Sequence, residues 1–272
     1  MEEAHLAANR ALWNGWTRLH ERSAFYDADA FRAGRSSLQP TELREVGPVA
    51  GRALLHLQCH FGLDTLSWAR LGARVVGVDL ADEAVALAQR LSAESALEGA
   101  AFVRADVYDL PAALPAALPR RYDVVFASYG VLAWLPDLTA WADVVARCLA
   151  PDGVFHLVEF HPLLTALGPD GRTLAEPYFH DPSPAATEVR GSYADPDALT
   201  SHQAYEWTHS VGDIVTALAG AGLRVEHLRE FPYTHHGGWV PFLEERAPGE
   251  WRVRGHGPEV PLMLSLRATR RS

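Results

Sequence analysis

The run LLHLQCHFGLDTLSWARLGARVVGVDL, residues 54–80, decides how the rest of this chain is read. Ala53-Leu54-Leu55-His56-Leu57 is an apolar run of strand length, and Gln58-Cys59-His60-Phe61-Gly62 follows as a tight turn opening onto a helix. Arg74-Val75-Val76-Gly77-Val78 is a second buried strand, and it stops at an acid, Asp79. Strand, turn, helix, strand and acid make a mononucleotide-binding unit, in which a carboxylate about 20 residues after the turn accepts hydrogen bonds from ribose hydroxyls. The unit predicts an adenosine-containing ligand before it says which one.

Outward from this unit the strand and helix periods alternate. Ala81 to Ser95 reads as a helix with Val85, Ala88 and Leu91 on one face and Asp82 and Glu83 favourably placed in its first turn. Ala101 to Ala105 is a strand ending at Asp106-Val107, and Pro111 to Pro119, PAALPAALP, reads as a surface loop or short helix. Tyr122 to Ala127 is the fourth strand, and it delivers Ser128, Tyr129 and Gly130 to the carboxyl end of the sheet, where open α/β folds bind ligands. Leu138 to Leu149 is an amphipathic helix, followed by a Pro151-Asp152-Gly153 turn and a strand from Val154 to Glu159. Ser210 to Ala221 is an N-capped helix, and Leu223 to Glu230 and Pro261 to Ala268 are the last two strands. Upstream, residues 5 to 22 form an amphipathic helix, Gly34 to Pro40 a loop, and Thr41 to Val46 a short helix.

GARVVGVDL, Asp106-Val107 and YDVVFASYGVLAWLPD…LAPDGVFHLVEF together resemble the class I S-adenosylmethionine-dependent methyltransferases over about residues 50 to 230 plus the last strand. The first motif of that family reads aliphatic-aliphatic-Asp-aliphatic-Gly-Cys-Gly-x-Gly. Here His56 takes the Asp position and Gln58 and His60 take two of the glycines, so that Cys59 and Gly62 match. The resemblance implies an α/β, Rossmann-like seven-stranded sheet, mostly parallel with an antiparallel last strand, flanked by helices and carrying a cap insertion. It implies S-adenosylmethionine as cofactor, held by Gln58, Cys59, His60, Phe61, Gly62, Asp79, Leu80, Asp106, Val107, Ser128, Tyr129 and Gly130. Asp106 then accepts the adenine amino group, although an Asp after a strand is also a common helix cap. Residues 1–47 are expected to form a helical lid and 48–272 the catalytic domain, with the cap at about 161–209.

The proline-rich stretch 161–209 supports that cap, because loops of such length in compact domains tend to be functional. Trp13, Tyr26, Trp134, Tyr178 and Tyr205 are the candidate substrate-pocket residues, against the plainer reading that aromatics mostly bury. Methyl transfer needs an in-line approach and exclusion of water, and a base only where the acceptor carries a proton. Of the thirteen histidines, His209, His161 and His202 are the candidates for that base, with Glu159 as a carboxylate alternative. No HExxH or closely spaced Cys and His set is present, so no metal is expected.

The 272 residues, 48% hydrophobic, suffice for a sizeable core. A formal charge of -10 argues against non-specific nucleic-acid binding, which clustered Lys and Arg would drive. The expected partner is a small-molecule acceptor methylated on N, O or activated C, with no nucleic acid and no membrane, by a monomer or homodimer. The acidic N-terminus MEEAHLAANR lacks the basic and apolar regions of a signal peptide, and two distant cysteines suit a reducing cytoplasm. Two other readings compete. One is a catalytically silent cofactor-binding regulator or partner subunit of the same fold, motivated by Gln58 and His60. The other is a nicotinamide-dependent oxidoreductase, which lacks its Gly-x-Gly-x-x-Gly turn.

Overall fold

Three helices precede the first strand: α1 (Glu3–Arg22), α2 (Ala28–Arg32) and α3 (Pro40–Val46). The computed structural model describes residues 3–97, 99–255 and 259–270, so Met1 and Glu2 of the acidic N-terminus lie outside the described residues. Proline at its first position starts α3, and the Glu42 carboxylate reaches back to accept the Gln39 N–H at 2.7 Å.

Then come β1 (Ala53–Leu57), α4 (Leu63–Arg70), β2 (Arg74–Asp79), α5 (Asp82–Glu94), β3 (Ala101–Arg104), β4 (Tyr122–Ser128), α6 (Leu138–Cys148) and β5 (Leu149–Phe160). They are followed by α7 (Pro162–Ala166), β6 (Ala185–Arg190), β7 (Ser201–Glu206), α8 (Val211–Gly220), β8 (Leu223–Phe231), β9 (Leu243–Ala247), β10 (Glu250–Val253) and β11 (Met263–Arg270). The PAALPAALP segment forms successive turns, as its prolines require.

The main sheet has seven strands in the order β3-β2-β1-β4-β5-β11-β8. Neighbours from β3 to β5 pair in parallel, and β11 runs antiparallel to both β5 and β8. This is the sheet the resemblance implied. The apolar runs are continuous because both faces are covered. Leu55 and Leu57 pack with Trp141, Val145 and Leu218 of α6 and α8, whereas Leu54 packs with Trp68 of α4 and Val46 of α3. Strand order reverses at β1, between β2 on one side and β4 on the other, and the crevice at such a switch point is where open α/β sheets bind ligands.

Segment 161–209 is built differently from a plain loop. After α7 it contains the antiparallel hairpin β6/β7, registered from Ala185↔Glu206 to Arg190↔Ser201. Asn9 of α1 fixes β7 by a reciprocal pair, donating to Tyr205 O at 2.8 Å and accepting the Tyr205 N–H at 2.9 Å. A second small hairpin, β9/β10, fills the connector between β8 and β11.

Candidate cofactor and acceptor site

The turn after β1 takes the left-handed backbone of a glycine turn with one glycine and two larger residues. Gln58 and His60 stand at φ 53° and 50°, in the left-handed region, beside Gly62 at φ 79°. Non-glycine residues held there cost of order 1–3 kcal/mol each and cluster at functional sites. Gly62 has no substitute, because a Cβ would meet the Phe102 ring at 2.5 Å in addition to its strained φ. Asp79 ties this turn to the end of β2: its carboxylate accepts the His60 N–H at 2.7 Å and the Ala81 N–H at 2.9 Å. Burial pushes the Asp79 carboxyl up to about 6, against the pull of those backbone donors. His56, at the family's Asp position, is buried and hydrogen-bonds Thr65 Oγ1 at 2.8 Å; burial lowers its pKa to about 3, so it is neutral.

The turn after β4 forms the opposite wall. Tyr129 and Gly130 are also left-handed, at φ 49° and 76°. Glu159 from β5 holds this turn from below, accepting the N–H groups of Gly130, Val131 (2.9 Å), Leu132 (3.2 Å) and Phe160 (2.7 Å). Burial raises its pKa while the four backbone donors pull it down. A carboxylate so committed is a brace for the turn. Gln58 Nε2 donates to Val131 O at 2.9 Å and joins the two walls.

Aromatic side chains close over both turns. Trp13, Trp16 and His20 share one face of α1 by their three- and four-residue spacing. Trp13 lies 5.0 Å from the His60 ring and 5.3 Å from Trp134, and Tyr26 stacks on His20 at 4.9 Å. The tip of the β6/β7 hairpin is latched onto this face. Trp16 Nε1 donates to Gly191 O at 2.8 Å, His20 Nε2 meets Ser192 Oγ at 3.0 Å, and the Tyr26 and Tyr193 hydroxyls share a hydrogen bond. His20 Nδ1 also meets His60 Nε2 at 2.8 Å. Nothing local in the sequence marks Ser192 or Tyr193 for this site, and His20 is marked only by its register with Trp13 and Trp16.

The histidines chosen from sequence sit elsewhere or are engaged. His161 caps α7 by accepting the Leu163 N–H at 3.0 Å, and its Nε2 meets Glu230 at 2.8 Å. His209 bonds Leu135 O at 2.6 Å through Nε2 and stacks on His180 at 4.8 Å. His202 lies against Gly15 of α1, where a Cβ would come within 2.5 Å of its Nε2. Tyr205 lies tilted against His5 at 4.1 Å, and Tyr178 pairs with the exposed Phe179. By contrast His236, from the β8–β9 connector, stands edge-on to Tyr129 at 4.5 Å, and its ring nitrogens bond no other described residue. Burial lowers its pKa to about 4. Glu42 of α3 faces Tyr129 too, and burial, followed by the adjoining Glu42 carboxyl, raises the phenol's pKa.

At the β3 end a cavity of about 340 Å³ is lined by Leu6, Arg10, Leu80, Arg104 and Asp106. Asp106 caps the following 3₁₀ turn, accepting the Tyr108 N–H at 3.1 Å, while its side chain lines that cavity. Among the described residues no group of three or more His, Cys, Asp or Glu is disposed to hold a metal ion, and no helix is long and apolar enough to cross a membrane.

S-Adenosylmethionine fits these residues on an observation independent of motif. Gln58 Oε1 and His60 Nδ1, both in the turn after β1, are buried polar atoms with no partner, and so is Tyr129 Oη after β4. Buried polar atoms without a partner call for an explanation, and those at these two turns leave a donor and acceptors free for a polar ligand, although Trp68 Nε1, Tyr122 Oη and Trp141 Nε1 are likewise unpaired in the core.

Residues 55–155 match the family model described as a methyltransferase domain. A ubiquinone biosynthesis O-methyltransferase of Xanthomonas euvesicatoria pv. vesicatoria is 35% identical over 150 residues, 54% of this chain and 56% of the relative. The chain therefore spans just over half the length of that relative. Among solved structures, the complex of DhpI with SAM and HEP covers 99% of both chains at a TM-score of 0.60 and 17% identity. An S-adenosylmethionine dependent methyltransferase from Mesorhizobium loti covers 87% of this chain and 99% of its own at a TM-score of 0.53 and 20% identity. Residues 55–155 thus carry a methyltransferase domain, and the strand order and this full-length likeness show that the chain has the Rossmann-like fold of S-adenosylmethionine-dependent methyltransferases.

Proposed function

We propose that this protein transfers a methyl group from S-adenosylmethionine to a small-molecule acceptor. The observation that carries the reading is the pair of turns at the β1/β4 switch point, with their orphaned polar atoms, flanked by buried Asp79 and by the cavity at Asp106. Asp106 serves the adenine end, Asp79 the ribose, and the turns of residues 58–62 and 128–130 the amino-acid end. When bound, the cofactor supplies an electrophilic methyl on a sulfonium. The chain's own part is to orient the acceptor, exclude water and take the acceptor's proton. Trp13, Trp16, Tyr26, Trp134 and Tyr193 exclude water, and the hairpin latched on α1 keeps them in place.

His236 is the proton acceptor in this reading. It stands edge-on to Tyr129 and 5.7 Å from Phe25, and burial, which lowers its pKa to about 4, leaves it unprotonated near pH 7 but a weak base, so it takes the proton late, from an acceptor atom made acidic as the methyl arrives. The curated relatives, named as O-methyltransferases, favour an oxygen acceptor.

Calorimetric titration with S-adenosylmethionine and S-adenosylhomocysteine, with NAD as control, tests the reading. Micromolar binding of both sulfur ligands, lost in Asp79→Ala, supports it; no binding of either sinks it. A silent cofactor-binding subunit is the second reading, favoured by the tight aromatic cover over the turn. It predicts the same binding with no methyl transferred to any of a panel of phenols, amines and acids.

A further inference from the structure

The protons of the Ser192–His20–His60 chain follow from the bonds themselves. Ser192 Oγ accepts the N–H groups of Ala194 at 3.0 Å and Asp195 at 3.2 Å, which uses both of its lone pairs. Its hydroxyl proton therefore goes to His20 Nε2, 3.0 Å away. A neutral imidazole carries a single N–H, so His20 holds its proton on Nδ1 and donates it to His60 Nε2 at 2.8 Å. His60 must then carry its own proton on Nδ1. Both rings are neutral, since burial lowers His20 to about 3 and His60 well below the usual imidazole value.

The Gln58 amide is oriented by the same logic. Val131 O can only accept, so Nε2 faces it and Oε1 faces away. The turn thus presents two buried atoms without partners: a donor, His60 Nδ1–H, and an acceptor, Gln58 Oε1. They lie two residues apart, in the two left-handed positions.

Sheet order says what meets them. Along the carboxyl edge, β3, β2, β1 and β4 follow in that order, ending at Asp106, Asp79, the turn of residues 58–62 and the turn of residues 128–130. A ligand with its base by Asp106 and its ribose by Asp79 brings its tail to the third position. That tail, in S-adenosylmethionine, is a zwitterionic α-amino acid with a carboxylate that needs donors and an ammonium that needs acceptors.

We propose that His60 and Gln58 form a side-chain reader of this zwitterion, His60 Nδ1–H donating to the carboxylate and Gln58 Oε1 accepting from the ammonium. His20 and Ser192 are positioning residues that set the His60 tautomer. Gln58 and His60 in place of glycines are then a gain of recognition, and α1 and the β6/β7 hairpin both take part in cofactor binding, because His20 belongs to the first and Ser192 to the tip of the second. The proposal rests on the cofactor reading above.

The test compares two probes on the full chain: S-adenosylhomocysteine, and 5′-methylthioadenosine, which has the same nucleoside but no amino acid. His60→Gly suits the left-handed backbone and removes the ring; Gln58→Gly does the same at its position. Each should weaken S-adenosylhomocysteine by about tenfold or more, the scale of a lost hydrogen bond to a charged group, and leave methylthioadenosine within about twofold. Ser192→Ala should weaken S-adenosylhomocysteine alone by a smaller factor. It should also turn the single Nδ1–H signature of His60 in imidazole ¹⁵N spectra into a tautomer mixture, which loss of packing would not do. Equal weakening of both probes in His60→Gly, or of neither, overturns the proposal while leaving the cofactor reading intact. Failure of the unaltered protein to bind either sulfur ligand overturns both.

Discussion

Glu159→Gln separates a structural brace from a chemical group. The amide keeps one oxygen and turns the other into a donor. Whichever way it lies, that donor faces two backbone N–H groups, either those of Gly130 and Phe160 or those of Val131 and Leu132. A hydrogen bond to a charged group is worth about 1.5–3 kcal/mol, so losing two costs roughly 3–6 kcal/mol. Relief of carboxylate burial, which raises the Glu159 pKa, offsets part of this. At the lower end, about 3 kcal/mol, a domain of this size loses roughly 5–10 °C in Tm. The assay is thermal unfolding by circular dichroism, with S-adenosylhomocysteine titration at 25 °C alongside. Binding should weaken as well, because Gln58 hangs from Val131 in the braced turn. A Tm within about 2 °C of the parent, less than a 1 kcal/mol change would give, combined with lost turnover, would refute the reasoning and restore Glu159 as a reacting carboxylate.

Two further outcomes follow from buried titratable groups. Glu42 is wholly buried with Oε1 unpartnered, and burial, followed by the Asp64 charge, raises its pKa from 4.5 to about 8. Its folded form therefore holds a proton that the unfolded form releases above 4.5, so the stabilising contribution is full below that pH and is lost as pH rises towards 8. Glu42→Gln should raise Tm, with a gap over the parent that widens from pH 5 to pH 8; a constant or narrowing gap would contradict the assignment. Cys59 and Cys148 are buried, with the Cys148 thiol pushed up to about 11 and Cys59 higher than the usual thiol range. An aromatic disulfide reagent at pH 7.5 should label neither in the native protein and both in denaturant; one fast equivalent in the native state would show a breach in the core.

The turn after β1 and the acid that ends β2 were readable because their geometry is local. Val75 to Asp79 announces both a buried strand and the acid that ends it, and Asp79 accepts from His60 only 19 residues away. Gln58 and His60 were visible as departures from glycine, but not that the turn would hold them in the left-handed conformation. The surroundings of the candidate histidines were less legible. His161, His202 and His209 stand near strand ends or in the cap on the sequence, yet hydrogen bonds to Leu163, Glu230 and Leu135 engage two of them and the third lies against α1. Nothing local in the sequence sets His236 apart; the β8–β9 connector folds it against Tyr129.

By itself the sequence determined the seven strands of the main sheet and the acids after β2 and β3, since period, turn chemistry and strand length act over a few residues, while the mostly parallel arrangement came from the resemblance. Tertiary structure decided which polar atoms face one another. His20 meets His60 across 40 residues and Ser192 across 172, and no local preference ties such positions together. Their proton assignments exist only once α1, the hairpin tip and the turn after β1 pack into one place, because a tautomer is set by its neighbours and not by its own residue type.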